Sequence, residues 1–116
     1  VMGWSNGSII TIELTTRTTR YKVAGAGAGN VNWLSDWGNA VFGESFDHYY
    51  LGTTPLKDPQ FYLKKSPLFR MDKVKTPTII FFGTEDKQVP TEQGWQHYRA
   101  LQQLGNTDVK FILFPG

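Results

Sequence analysis

Apolar residues along this chain fall into short continuous runs, and polar stretches with a helical repeat separate them. The apolar runs lie at Tyr21–Ala28, Thr76–Phe82 and Asp108–Phe114. Short apolar runs bounded by glycine, proline and polar residues are typical of buried strands, whereas a repeat at i, i+3 and i+4 is typical of helices. The pattern predicts strands that alternate with helices.

The clearest helix is Thr91–Leu104, which Pro90 opens and Gly105 closes. Its apolar side chains recur at helical spacing, and we expect them to form the buried stripe of this helix: Trp95, Tyr98, Leu101 and Leu104. His97 lies beside this stripe and is expected to face the solvent.

Further helices are predicted at Asn6 to about Arg17, Leu34–Phe42 and Pro59–Lys65. On propensity alone Ile9–Thr16 also suits a strand, because it is rich in β-branched residues. Its position directly after a tight turn favours a helix. Gly43–Asp58 is expected to be irregular, and His48 within it to be a polar surface residue. Ser66 and Pro67 are predicted as the N-cap and first residue of another helical turn.

The first residues carry the strongest chemical signal. Gly3-Trp4-Ser5-Asn6-Gly7 reads G-x-S-x-G between apolar Val1-Met2 and a predicted helix. This is the pattern of a nucleophile elbow, a strained strand-to-helix turn that lifts a serine Oγ clear of a sheet. We expect both glycines to be required where backbone passes close to the turn. Because glycine and serine are common, an ordinary turn before a helix is the alternative.

A second signal follows the strand Ile79–Phe82, where Gly83-Thr84-Glu85-Asp86 form a turn. A carboxylate just past a strand end is where an α/β hydrolase holds the acid of its catalytic triad, in the chain order Ser, Asp, His. Asp86 is the preferred candidate and Glu85 its competitor. The small-residue run Tyr21–Gly29 contains G-x-G-x-G, but it lacks the third glycine of a dinucleotide-binding loop, so a buried central strand is the better interpretation.

Together these residues resemble the catalytic domain of the prolyl oligopeptidase family of serine peptidases. The resemblance rests on Gly3-Trp4-Ser5-Asn6-Gly7, the strand before Trp33, Ser66-Pro67-Leu68, and Gly83–Asp86 with Val89-Pro90. It is nearest to the dipeptidyl-peptidase and acylaminoacyl-peptidase branches. It implies an α/β-hydrolase fold, with a mostly parallel sheet and helices on both faces. Residues 1–116 would be a fragment of one such domain, truncated at both ends.

The resemblance also implies roles for individual residues. Ser5 would be the nucleophile, Asp86 would orient the catalytic histidine, and the backbone N–H of Asn6 would contribute to the oxyanion hole. The side chains expected at the substrate pocket are Trp4, Trp33 and Val89. For Trp33, a core or surface aromatic is an equal alternative.

Two departures from the family pattern are visible. Ser8 stands where another glycine is usual, and the catalytic histidine, expected shortly after Gly116, is absent. An α/β-hydrolase domain commonly needs about 200–250 residues, and the chain has 116. We therefore expect the chain to need the remainder of the polypeptide, or another copy of a fragment, to fold stably, and to be close to inactive by itself.

Composition and charge limit the kinds of binding partner that we expect. The net charge is +2, and acidic and basic residues are interspersed along the chain. No run of like charge therefore indicates binding to nucleic acid or to a membrane surface. The absence of cysteine excludes disulfides and thiolate metal sites but leaves the compartment open. No cofactor is implied; the expected ligand is a peptide or small ester, and a homo-oligomer stays open. Three functions are compatible: a serine peptidase, an esterase or lipase of the same fold, and a non-catalytic interaction domain.

Overall fold

Four parallel strands form one sheet, in which they are hydrogen-bonded in the order of the chain. The computed structural model describes all residues, 1–116. Strands β1 to β4 are Met2–Trp4, Ala24–Gly27, Thr78–Gly83 and Val109–Phe114. Because the pairing is parallel throughout, the chain crosses back after every strand. The carboxyl ends of all four strands therefore lie at one edge of the sheet.

The connecting segments are mostly helical. Helices α1 to α5 are Asn6–Arg17, Trp33–Asn39, His48–Leu51, Pro59–Lys65 and Thr91–Leu104, with a π-helical turn at Gly43–Asp47 and a 3₁₀ segment at Pro67–Lys73. The predicted bounds of α1, α4 and α5 are confirmed. Gly43–Asp58, expected to be irregular, instead contains the π turn and α3. None of the helices is long and apolar enough to cross a bilayer.

Strand β2 is shorter than predicted but central as expected. Ala24 and Ala26 are buried beneath the helices, while Gly25 and Gly27 point to the opposite face. A Cβ on Gly27 would lie 2.1 Å from the ring of Trp4, so this position requires glycine. The small residues therefore let neighbouring groups approach the sheet closely, in agreement with the structural interpretation of this run.

The hydrophobic core lies on one face of the sheet only. Its buried side chains come from α1, α5, the 3₁₀ segment, the sheet and the loops that follow β2 and the 3₁₀ segment: Ile12, Ala26, Ala28, Val31, Met71, Val74, Ile80, Phe82 and Leu101. Burial of each larger side chain contributes about 1.5–3 kcal/mol. Because α1 and α5 contact the same cluster, they form a single helical layer.

The other face of the sheet carries no helix. Met2, Trp4 and Phe114 point to this side and are 79%, 62% and 51% exposed. The α/β class and the parallel sheet are confirmed, but the structure differs from the expectation of helices on both faces. In residues 1–116 this apolar face, which we call the open face, is uncovered.

Helix α5 is rotated relative to the prediction. Its buried residues are Gln93, Gly94, His97 and Leu101. Trp95 and Leu104, which were expected in the core, are 45% and 44% exposed. The prediction that His97 faces solvent was wrong: it is 2% exposed, and burial lowers its pKa to about 4. Gly94 explains the rotation, because a Cβ there would come within 2.6 Å of the Phe82 ring.

Ser66 precedes the 3₁₀ segment as predicted, but its hydroxyl does not cap that segment. Instead Ser66 Oγ donates to the Tyr62 carbonyl oxygen at 2.7 Å and accepts from the Trp33 N–H at 2.9 Å. The side chain therefore ties the end of α4 to the start of α2. A long-range contact has replaced the local one that the sequence pattern indicated.

Candidate active site

Ser5 occupies a strained turn between β1 and α1. Its backbone has φ 55° and ψ −119°, a region that non-glycine residues rarely adopt. The turn is held because the Ser5 N–H donates to the Gly27 carbonyl at 2.8 Å. The Ser5 carbonyl in turn accepts from the N–H groups of Ser8 and Ile9. Strain of this kind costs about 1–3 kcal/mol and clusters at functional sites.

The two glycines of the motif are not equivalent. A Cβ on Gly3 would lie 2.2 Å from the carbonyl oxygen of Gly7, so β1 and α1 can approach only because Gly3 lacks one. A Cβ on Gly7 would meet nothing within 4 Å in this chain. The expectation that both positions require glycine therefore holds only for Gly3.

Ser8 is accommodated by a glycine elsewhere. Its hydroxyl is fully buried, and a Cβ on Gly29 would fall 2.2 Å from Ser8 Oγ. Gly29 thus provides the space that a glycine at position 8 would otherwise leave. The departure from the family pattern is compensated by a residue of the segment after β2.

Asp86 lies on the turn after β3, at the same sheet edge as Ser5. Its Oδ1 accepts from the N–H groups of Gln88 and Val89, both at 3.0 Å. These bonds hold the half-buried carboxylate in one orientation and leave Oδ2 without a protein donor. Glu85 beside it is exposed and makes no side-chain hydrogen bond. Of the two neighbouring carboxylates, Asp86 is the one that backbone N–H groups hold in place.

A cavity of about 440 Å³ opens beside Ser5. Of the predicted site residues, Ser5, Asn6 and Val89 line it, while Asp86 lies outside its wall. The remaining lining residues are Ile9, Asn30, Asp36, Ala40, Phe42, Phe46, Asp47, Tyr50 and Gln88. The cavity is therefore built by the nucleophile turn, the segment Asn30–Tyr50 and the turn that carries Asp86.

Trp4 and Trp33, the other two predicted pocket residues, do not line this cavity. Trp4 packs over Gly27 on the open face. Trp33 is 2% exposed, and its ring stacks on that of Tyr50 with centroids 5.1 Å apart. Trp33 thus supports a wall residue from behind, which corresponds to the core alternative for this position.

A buried carboxyl pair in the cavity wall was missed at the sequence level. Asp36 on α2 and Asp47 in the π turn are 2% and 0% exposed. Burial raises the pKa of Asp36 to about 6. Burial, with the neighbouring Asp36 charge, raises the pKa of Asp47 to about 8. Eleven positions separate the two residues, and no motif links them, so no local signal could have identified the pair.

No histidine lines the cavity. His97 is buried within α5, and His48 opens α3. Ser5 and Asp86 are thus brought to one sheet edge without a base between them in residues 1–116. No group of three or more His, Cys, Asp or Glu side chains could hold a metal ion.

Comparison with known proteins gives consistent matches over the whole chain. The prolyl oligopeptidase family matches residues 1–116. The acylamino-acid-releasing enzyme of Arabidopsis thaliana is 30% identical over 126 residues, covering 99% of this chain and 16% of that protein. The uncharacterized peptidase YuxL of Bacillus subtilis is 31% identical over 115 residues, covering 99% of this chain and 17% of that protein.

Solved structures agree with these matches. The acylaminoacyl peptidase of Pyrococcus horikoshii superposes with a TM-score of 0.94 at 28% identity, covering 100% of this chain and 19% of that one. The chain thus spans less than a fifth of the length of these relatives, and it includes the strained serine turn and the carboxylate turn. It belongs to the prolyl oligopeptidase family.

Proposed function

We propose that this chain carries the nucleophile and the orienting acid of a serine peptidase. The observation that carries the proposal is the Ser5 turn, whose strained backbone places an exposed serine at the mouth of a cavity and at the N-terminus of a helix. A structural turn has no need of such strain. Its persistence beside a cavity supports a catalytic role.

In this proposal Ser5 Oγ attacks the substrate carbonyl. A histidine from outside residues 1–116 accepts the proton, and Asp86 orients and stabilises the imidazolium that forms. The carboxylate is prepared for this role, since two backbone N–H groups fix one of its oxygens. The other oxygen remains available to a ring N–H.

The developing oxyanion needs donors that are already oriented. Asn6 is the first residue of α1, so its N–H has no carbonyl partner within the helix. The positive end of the helix dipole favours negative charge at the same place. The Asn6 N–H therefore suits one half of the oxyanion hole.

For the whole protein we propose hydrolysis of short, N-acylated peptides. The proposal is supported by the names of the relatives, acylamino-acid-releasing enzyme and acylaminoacyl peptidase. An esterase of the same fold and a non-catalytic domain are the competing functions. An esterase would hydrolyse esters but not peptides, and a non-catalytic domain would hydrolyse neither.

The test uses the full-length protein with a fluorophosphonate probe and intact mass spectrometry. We expect one probe per chain, located at Ser5 and lost in Ser5→Ala. Ser45→Ala, which removes an exposed hydroxyl, should label normally. The unlabelled protein should release the N-acetylated first residue from short acetylated peptides, and the probe should abolish this release. Absence of labelling would contradict a serine hydrolase, and labelling with turnover of esters alone would contradict a peptidase.

A further inference from the structure

The cavity beside Ser5 contains buried oxygens that receive no hydrogen bond from an N–H group or from a serine, threonine or tyrosine hydroxyl of residues 1–116. Asn30 Nδ2 donates to Asp36 Oδ2 at 2.9 Å, and this is the one side-chain N–H donor in the cluster. Apart from a proton that the Asp36 and Asp47 carboxyls can share, four oxygens have no donor from residues 1–116: Asn30 Oδ1, Asp36 Oδ1, Asp47 Oδ1 and Asp47 Oδ2. We call these three residues the acceptor cluster.

No cationic side chain of residues 1–116 forms an ion pair with the acceptor cluster. The ion pairs of the chain all involve Glu13, with Arg17 and Arg70 as partners. Tyr62, the other titratable group close to Asp47, already donates its hydroxyl proton to the Thr53 carbonyl. Before a substrate binds, a proton on Asp47 can be shared with Asp36. The cluster is thus short of donors and short of positive charge.

Buried polar groups without partners are rare in folded proteins, and buried acids without counter-charges are rarer still. Asn30 is not an acid, and its unpartnered oxygen lines the same cavity at 2% exposure. It is therefore an independent indication that a donor belongs there. A cationic group has several N–H donors and a charge of the required sign.

Most of the remaining wall is apolar, with Ile9, Phe42 and Phe46 among its residues, and Ser5, Asn6 and Gln88 are its polar members. Lysine and arginine combine an aliphatic stem with a cationic head, which matches an apolar wall that contains an acidic cluster. A volume of about 440 Å³ is enough for either side chain.

We propose that the acceptor cluster makes this cavity selective for a basic side chain, lysine or arginine, on the substrate residue whose carbonyl Ser5 attacks. The inference rests on the proposed function, because it assigns the substrate class of the same site. Asp36 and Asp47 bind the cationic head, and Asn30 adds a neutral acceptor. The shared proton leaves as the cation enters.

The test compares substrates of equal shape in the full-length protein. The N-acetyl-arginine and N-acetyl-citrulline p-nitroanilides differ in charge but hardly in size. We expect kcat/KM to favour arginine by about 10- to 100-fold, the range for hydrogen bonds between charged groups. The effect should be mainly in KM. The preference should grow as the pH rises from 6 to 8, because the pair releases its proton over that range.

Variants assign the selectivity to the cluster. In Asp47→Asn the arginine-to-citrulline ratio should fall by about tenfold, since a neutral amide replaces a carboxylate. Asp72→Asn, which neutralises an exposed carboxylate outside the cavity, should keep the wild-type ratio. The wild-type ratio is a test in its own right if Asp47→Asn fails to fold.

Three outcomes would overturn the proposal while probe labelling at Ser5 is retained. They are equal turnover of the two substrates, a ratio that neither pH nor Asp47→Asn changes, and a preference for a free over an acetylated α-amino group. The last outcome would mean that the cation recognised is the substrate's amino terminus. Loss of labelling at Ser5 would instead contradict the proposed function.

Discussion

At the scale of single residues, the serine turn depends on one missing Cβ. Ser5 keeps a φ of 55° because its N–H is bonded to β2 and its carbonyl to the first turn of α1. That geometry brings the Gly7 carbonyl against Gly3. The strain at Ser5 and the close approach at Gly3 are therefore two aspects of the same packing.

We predict that Gly3→Ala destabilises the full-length protein by about 2–4 kcal/mol, in the range of buried overpacking, because the clash is with rigid backbone. The measurement is the free energy of unfolding in urea. Gly38→Ala is the control, because Gly38 is an exposed helical glycine and a Cβ added there would meet nothing within 4 Å. It should be neutral or slightly stabilising. Equal losses in both variants would contradict the steric explanation.

At the scale of elements, α5 holds the segment after β2 in place through a buried amide. Gln93 Oε1 accepts from the N–H groups of Val31 and Asn32, both at 2.9 Å. Its Nε2 donates to Ser35 Oγ. This segment also carries Asn30 of the acceptor cluster. The polar face of α5 is thus buried because it satisfies the backbone of a neighbouring segment.

Replacement of Gln93 by leucine should cost about 2–4 kcal/mol, since it leaves the buried Val31 N–H without an acceptor, at about 1–3 kcal/mol, and the partly buried Asn32 N–H without one at a smaller cost. Urea unfolding of the full-length protein measures the effect. Gln103→Leu on the exposed side of α5 is the matched control and should change stability by less than about 0.5 kcal/mol. If both variants lose the same amount, the amide bridge is not the cause.

At the scale of the whole molecule, the main feature is the open face, the apolar side of the sheet that no helix of residues 1–116 covers. A sheet with apolar side chains on both faces needs a cover on each, and residues 1–116 supply one helical layer. Exposed apolar area of this extent marks an interaction surface or an aggregation hazard. The relatives are about five to six times longer than this chain, which covers 16–19% of them.

We predict that the isolated 116-residue chain does not fold as a stable monomer. Its far-UV circular dichroism should show no cooperative thermal transition at low concentration, and light scattering should show association as concentration rises. The full-length protein should melt cooperatively under the same conditions. A monomeric chain of residues 1–116 with a sharp transition would show that one helical layer is sufficient.

Local features explain what could be read from the sequence alone. Glycine at position 3, the G-x-S-x-G spacing and the left-handed Gly105 act within a few residues, so they identified the serine turn and the end of α5. Short apolar runs likewise located the strands, and the order of elements followed. The same motifs were also sufficient to indicate the family.

Tertiary structure alone decided the rest, because the deciding contacts join residues far apart in the chain. Gly94 and Gln93 turned α5 so that His97 is buried, against the apolar pattern of that helix. The π turn brought Asp47 to Asp36; burial raises the pKa of both carboxyls, and the neighbouring Asp36 charge raises that of Asp47 further. Periodicity predicts which residues can share a face; only packing determines which face is covered, and here it left one side of the sheet open.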